Sequence, residues 1–237
     1  MKLPPLTRGL ILRRYKRFLA DVELSSGERI TAHCPNTGSM TGCWEPGAPV
    51  ELTFSDNPKR KLAWTLERVD MGSGWVGVNT GRTNEVMHWL VSRGHVPDLS
   101  GYSAVKREPV YLAPGFPRSR FDMQLTAPGR RDCFVEVKNT TFYTDGAIRF
   151  PDAVTDRGRK HLLLLRHAVA QGHRGVILFA VNRPEGDHFS PARQIDPDYA
   201  DSLQSVMCAG VEAMAVRIRH TPKGMRMGGL LPIHLAG

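Results

Sequence analysis

The sequence predicts an α+β protein of two parts, a small β-barrel over residues 1–80 and a mixed α/β domain over 81–237. Three observations lead there. Between residues 10 and 80, short apolar runs alternate with Gly-containing turns, and no long helical periodicity interrupts them. Beyond Gly101, runs alternating with period two give way to runs of helical spacing and back again. Apolar residues make up 41% and charged residues 23% of the chain, enough apolar surface for a core and too much for a disordered polypeptide.

Taken in order, Tyr15–Leu24, the turn Ser25-Ser26-Gly27 and Arg29–His33 read as a hairpin. Val50–Phe54 follows the turn Glu45-Pro46-Gly47 as a strand, and Ala63–Val69 with Trp75–Val78 forms a second hairpin around Gly72-Ser73-Gly74. A five-stranded barrel of the OB type fits this length and would supply a nucleic-acid face; an SH3-like barrel fits nearly as well. Asn84–Val91 has apolar residues at 86, 87, 90 and 91, a helical spacing that joins the two parts. Phe121, Met123 and Leu125 alternate with Asp122, Gln124 and Thr126; Cys133, Val135 and Val137 alternate with Phe134, Glu136 and Lys138. Thr155–Ala170 reads as a helix carrying Leu162–Leu165, and Gly175–Val181, a continuous apolar run, as a buried strand. Asp198–Ala209 is a helix stopped by Gly210, and Val211–Ile218 a strand.

The chain carries a net charge of +9, which admits a polyanionic partner without requiring one. Residues 1–80 hold 11 basic and 8 acidic residues, so no basic tail explains the excess. It lies in clusters: Arg8, Arg13, Arg14, Lys16 and Arg17 with Tyr15 and Phe18 among them; Lys59-Arg60-Lys61; and Arg217, Arg219, Lys223 and Arg226. Bases interleaved with aromatics suit a surface that holds phosphates and stacks bases, and equally a solvated strand face with Tyr15 and Phe18 in the core. No apolar run approaches the roughly 18–20 residues that span a bilayer, and Leu10-Ile11-Leu12 is too short for a signal-peptide core, so a cytoplasmic protein without membrane contact is expected. Cys34, Cys43, Cys133 and Cys208 form no C-x-x-C pair; His33, Cys34 and Cys43 lack the fourth ligand of a structural zinc site and read as buried or incidental.

The chemistry concentrates between residues 108 and 161. Pro128-Gly129 is a turn signal, and a turn centred on Gly129 would set Asp122 opposite Glu136, with Lys138 on the same face. Two like charges facing each other destabilise a sheet unless something neutralises them. Hard carboxylate oxygens favour Mg²⁺ or Mn²⁺, and a cation so held beside a lysine is equipment for phosphodiester hydrolysis. The plainer alternative is a salt bridge between Lys138 and the acids. Glu108 is a candidate third carboxylate. Arg118 and Arg120 flank the site, Asp152 lies downstream, and Arg157, Lys160 and His161 sit at i, i+3, i+4 spacing, a face that could bind the scissile phosphate. Pro35-Asn36-Thr37-Gly38 is a turn that either presents amides to a phosphate or serves as an elbow of the barrel.

Longer ordered motifs surround these residues. They are Arg14-Tyr15-Lys16-Arg17-Phe18-Leu19-Ala20-Asp21, His33-Cys34-Pro35-Asn36-Thr37-Gly38 with Met40 and Gly42, Gly101-Tyr102-Ser103, Arg118-Ser119-Arg120 with Asp122, and Glu136-Val137-Lys138. Phe150-Pro151-Asp152-Ala153-Val154-Thr155, Arg157-Gly158, Lys160-His161 and Phe189-Ser190-Pro191-Ala192 complete the set. From about residue 14 to 193 the chain resembles the sugar fermentation stimulation protein A (SfsA) family of bacteria and archaea. The resemblance implies an N-terminal OB-like domain and a C-terminal domain similar to PD-(D/E)XK nucleases, with Asp122, Glu136 and Lys138 in the nuclease motif. It also implies DNA binding without sequence preference and a link to regulation of maltose metabolism. Asn139-Thr140-Thr141-Phe142 departs from the family pattern, in which a β-branched aliphatic is expected near Thr140. Together the expectations are a DNA-binding (or RNA-binding) protein with a Mg²⁺ or Mn²⁺ site at Asp122, Glu136 and Glu108, catalysis by Asp122, Glu136 and Lys138, and strand contacts from Arg14, Tyr15, Lys16, Arg17, Arg118, Arg120, Arg157, Lys160 and His161. The alternative is a non-catalytic DNA-binding regulator of sugar metabolism, and a third reading is a hydrolase of a small phosphorylated substrate.

Overall fold

A computed structural model describes residues 1–235. The N-terminal strands are β1 (Leu6–Tyr15), β2 (Leu19–Leu24), β3 (Arg29–His33), β4 (Pro49–Phe54), β5 (Trp64–Asp70) and β6 (Trp75–Gly77). They run in the order β3-β2-β1-β4-β5-β6, and the pairing of His33 with Thr65 joins β3 to β5. That contact closes a five-stranded barrel of the OB kind, with β6 as an added edge. Ile11, Val22, Ala32, Val50, Leu52, Leu66 and Val69 alternate inward and fill it.

The hairpin expected over Tyr15–His33 forms between β2 and β3, but its first strand starts at Leu19 and Tyr15 ends a separate strand. The chain already enters the barrel at Leu6 and turns at Lys16 and Arg17, whose φ angles are 48° and 66°. These bulky residues announce no left-handed turn in sequence. Arg14, at the end of β1, ties it to a distant segment: its guanidinium donates to the carbonyls of Arg17 (2.7 Å), Asn36 (2.8 Å) and Gly38 (2.9 Å).

Helix α1 (Thr80–Ser92) links the parts; the side chain of Asn79 accepts the amide of Arg82 and caps it. The remaining strands are β7 (Ala104–Arg107), β8 (Val110–Tyr111), β9 (Ser119–Arg120), β10 (Met123–Thr126), β11 (Cys133–Thr140), β12 (Phe142–Thr144) and β13 (Ala147–Phe150), then β14 (Arg174–Val181), β15 (His188–Pro191), β16 (Glu212–Thr221) and β17 (Gly224–Leu231). Helices α2 (Asp156–Ala170) and α3 (Pro197–Cys208) come before β14 and β16. The main sheet has the order β17-β16-β14-β11-β10-β7, with β11, β14 and β16 parallel. Helix α1 packs Val86, Met87 and Leu90 on one face against Met123, Val135 and Leu178. The other face meets α2 and α3 through Leu162, Leu165 and Leu203 against Phe134, Ile177 and Phe179. Covered on both sides, β14 reads as an unbroken apolar run for that reason. The short strands β8, β9, β12, β13 and β15 form two small sheets that carry no alternation long enough to read from sequence.

No described helix is long and apolar enough to cross a membrane. Cys34, Cys43 and Cys133 are buried thiols and Cys208 an exposed one, all unpaired.

Candidate active site

The ladder between β10 and β11 pairs Met123 with Val135, Gln124 with Phe134 and Leu125 with Cys133, the register that a turn at Gly129 requires. Strand β11 points Phe134, Glu136 and Lys138 toward α2. Glu136 is buried, and its Oε1 accepts from Lys138 Nζ at 2.7 Å and pairs with His161 Nδ1 on α2. Lys138 Nζ lies 3.4 Å from the same imidazole nitrogen. The placement of His161 follows from how α2 begins. Thr155 Oγ1 accepts the amide of Gly158, and Asp196 Oδ2 accepts the amide of Thr155, anchoring the helix start to the base of α3. A Cβ at Gly158 would meet Thr155 Cγ2 at 2.7 Å and Tyr199 Cε2 at 3.1 Å, so this close approach needs glycine.

Asp122 departs from the mid-strand position expected for it. It sits in a bend just before β10, where its amide donates to the Val135 carbonyl at 3.1 Å. Its carboxylate reaches over the strand end instead of standing on the Glu136 face: Oδ2 accepts the Val137 amide at 2.7 Å and Oδ1 accepts Asn84 Nδ2 at 2.9 Å. Burial, then the charge of Glu136, pushes its pKa up to about 6, against the pull of the Val137 amide and Lys138. Burial would raise Glu136 as well, but Lys138 and His161 outweigh it and hold that carboxyl below its usual range. Tyr199, wholly buried on α3, backs the cluster; burial and then the charge of Glu136 push its phenol well up. The two carboxylates thus shift in opposite directions because Lys138 and His161 touch Glu136 directly, whereas at Asp122 their more distant charges do not offset burial and the charge of Glu136.

This asymmetry has a measurable consequence without metal. The native protein keeps the Asp122 proton up to about pH 6, while the unfolded chain releases it near the ordinary 3.8. Stability in EDTA therefore falls as pH rises from about 4 to about 6 on account of this group. Glu136 has the opposite sign: its stabilisation is present above its ordinary value and disappears on acidification through its lowered one. Denaturant titrations of wild type and Asp122→Asn should show a stability difference that changes between pH 4 and 6 and is constant above that window. A constant difference throughout would show that Asp122 does not titrate there.

The structure brings Asp122, Glu136, Lys138 and His161 together but leaves other expected residues apart. Glu108 adjoins Asp122 through its backbone, its amide donating to the Asp122 carbonyl at 3.0 Å. Its φ of 46° turns the side chain outward, where its exposed carboxylate lies 3.7 Å from Arg120. Among the described residues no three His, Cys, Asp or Glu side chains gather at metal-binding spacing, so Glu108 is not a third ligand in this arrangement. His161 is buried against Glu136 instead of sharing an exposed face with Arg157 and Lys160, both of which face solvent. Arg118 and Arg120 are exposed; Lys16 and Arg17 form an exposed turn. Arg14 is occupied by backbone carbonyls, and the Tyr15 hydroxyl donates to Asp21 at 3.1 Å beneath Arg13, so neither is a free strand contact. The Pro35–Gly38 turn is an elbow: Ser39 Oγ donates to Asp152 Oδ2 at 2.9 Å and ties the barrel to the second domain. Asn84 joins the site without having been expected there; as a polar residue in line with Met87 and Val91 on the buried stripe of α1, it carries a signal.

Residues 12–78 match the model of the SfsA N-terminal OB domain, and residues 81–224 that of the sugar fermentation stimulation protein RE domain. The chain belongs to the sugar fermentation stimulation protein family. The sugar fermentation stimulation protein homolog of Geobacter sulfurreducens is 49% identical over 238 residues, covering 100% of both chains. That of Magnetococcus marinus is 51% identical over 210 residues, covering 89% of this chain and 88% of its own. The solved structure of Pyrococcus furiosus SfsA in complex with Ca²⁺ superposes with a TM-score of 0.88 at 25% identity, covering 99% of this chain and 98% of that one. Among SfsA-family chains, then, the barrel of this protein is the OB domain, and the alternative of an SH3-like barrel is set aside.

Proposed function

We propose that the protein is a divalent-metal-dependent phosphodiesterase acting on nucleic acid, its second domain a nuclease-like fold of the PD-(D/E)XK kind. One observation carries the reading: the buried carboxylate of Glu136 and the half-buried one of Asp122, close enough that the charge of one raises the other, beside a half-buried lysine. The donor set fits Mg²⁺ or Mn²⁺. It consists of hard oxygens, it holds an electrostatic conflict that a cation would relieve, and two protein carboxylates suffice for an ion that keeps several waters and takes substrate oxygens. The Pyrococcus furiosus relative was solved with Ca²⁺, another oxygen-seeking dication.

Asp122 and Glu136 would hold the metal, which when bound supplies a Lewis acid for the phosphate and lowers the pKa of water. The protein's own groups do the rest. Lys138, 2.7 Å from Glu136, is placed to orient a water or to offset charge growing on the phosphate. His161 fixes the Glu136 carboxylate from behind, and the Val137 amide with Asn84 fixes that of Asp122. Exposed Arg157 and Lys160 on α2, with Arg118, would hold the strand backbone.

Labelled single- and double-stranded DNA and RNA incubated with the protein and Mg²⁺ or Mn²⁺ test this: a strand should be cut with the metal and spared in EDTA. Purified protein that leaves all four intact would sink the catalytic reading. A second reading, a non-catalytic DNA-binding regulator of sugar metabolism, draws on the contacts of Lys138 and His161 with Glu136, which neutralise that carboxylate without a cation. Calorimetry showing no Mg²⁺ or Mn²⁺ uptake would favour it.

A further inference from the structure

Two of the basic clusters, far apart in sequence, meet on the barrel. The β1–β2 turn carries Lys16, Arg17 and Phe18, and the β4–β5 loop carries Lys59, Arg60 and Lys61. Between them lies an open groove of about 440 Å³ lined by Phe18, Leu19, His33, Arg60, Lys61 and Leu62. Its volume falls among ordinary ligand clefts of about 300–1,000 Å³. The floor is apolar, no acid lines it, and Phe18 is 46% exposed, an uncovered ring at its edge.

The charges around the groove differ from the others on the same barrel. Arg8, Arg13 and Arg29 pair with Glu51, Asp21 and Glu23. Among the described residues, no carboxylate within 4.0 Å pairs with Lys16, Arg17, Lys59, Arg60 or Lys61. Arg60 is nonetheless held in place, its Nη2 donating to Thr65 Oγ1 at 2.6 Å. The backbone of Phe18 is likewise fixed, its carbonyl accepting the Cys34 amide at 2.8 Å. An apolar floor, a presented aromatic ring and an unneutralised cationic rim complement a ligand that is flat and apolar at one end and anionic at the other.

We propose that this groove takes an unpaired base of a nucleic-acid strand, stacked on Phe18, with the flanking phosphates on Arg60 and Lys61 and on Lys16 and Arg17. The proposal rests on the nucleic-acid reading above and narrows it: the barrel grips single-stranded or locally opened substrate. Stacking is insensitive to base identity because every base has a π-face. A duplex keeps its bases inside and can offer the groove only phosphates.

The test uses the full-length protein in EDTA, with anisotropy of three labelled probes: oligothymidylate, an abasic strand of equal length and a blunt duplex. Wild type should bind oligothymidylate about tenfold more tightly than the abasic strand, in keeping with the stacking of a single base. Phe18→Ala should erase that difference while leaving affinity for the abasic strand unchanged, and Phe18→Trp should restore it with quenching of the new indole. Phe18 is outside the core, and unchanged circular dichroism would show that the variants fold. Salt-dependent binding of all three probes that is indifferent to Phe18 overturns the groove and leaves the nucleic-acid reading standing. Equal affinity of wild type for the thymidylate and abasic strands overturns it likewise, as does tighter binding of a labelled polyglutamate peptide. Absence of salt-dependent binding to any probe overturns both.

Discussion

Glu136→Gln is expected to lower metal-dependent strand cleavage about 100-fold or more while leaving the protein folded and its affinity for nucleic acid in EDTA unchanged. The size follows from position: loss of a partner behind a metal ligand already costs about 10–100-fold, and Glu136 is proposed as a ligand itself. The fold survives because both neighbours converge on one atom, Oε1, which accepts from Lys138 at 2.7 Å and pairs with His161. An amide oxygen can occupy that position and keep both contacts. The substitution also withdraws the second cause of the raised Asp122 pKa, so the native protein should release that proton at lower pH. Lys138→Met separates the roles: it should slow single-turnover cleavage while calorimetry still detects Mn²⁺ uptake. If Glu136→Gln cuts at the wild-type rate, the metal site is not where we place it, whatever the barrel binds.

The strand register that makes this variant informative is legible in the amino-acid sequence. Alternation of period two on both sides of Pro128-Gly129 leaves little freedom in how the strands pair, and Met123 opposite Val135 is the outcome. Facing in a ladder does not extend to Asp122, because a residue in the bend before a strand is not bound by the pleat. His161 departs from expectation for a different reason. Spacing of i, i+3 and i+4 says that residues are neighbours on a helix, not which way that side faces. His161, Leu165 and Ala168 form an i, i+4, i+7 stripe that is buried, and that longer pattern is the better guide. The contacts of Arg14 with Asn36 and of Asp152 with Ser39 are unreadable in principle, since each joins segments distant in sequence that meet only in the packed fold. Phe18 reads equally as core or surface in the sequence, and closure of the barrel sets it beside Arg60.

A charge is buried where the barrel meets the second domain, and removing that charge should give the largest stability loss in the barrel. Arg68 on β5 is wholly buried, and its Nε donates to Glu51 Oε2 at 2.6 Å across the β4–β5 ladder. Arg68→Ala strands the Glu51 carboxylate, itself almost fully buried and, among the described residues, otherwise paired only with Arg8 Nε at 3.3 Å from the exposed side of the barrel. Loss of one partner of a buried pair costs about 3–5 kcal/mol, whereas replacing both with apolar groups of similar volume is often neutral. Arg68→Met with Glu51→Leu should therefore recover most of what Arg68→Ala loses, as read from urea midpoints. One contact distinguishes this pair from an isolated one. Arg68 Nη1 donates to the Thr221 carbonyl at 2.9 Å, at the turn between β16 and β17 in the second domain, and its guanidinium stacks over Trp75 at 4.8 Å. His220 lies next to that turn, its pKa lowered to about 3 by burial and then by the charge of Arg68. The pair thus couples the barrel wall to the sheet that carries Glu136. If the coupling is strong, wild type should unfold in a single transition by both fluorescence and circular dichroism, and the double variant, stable in each domain but without the Thr221 contact, in two. Recovery of stability together with a single transition would show that the pair serves the barrel alone.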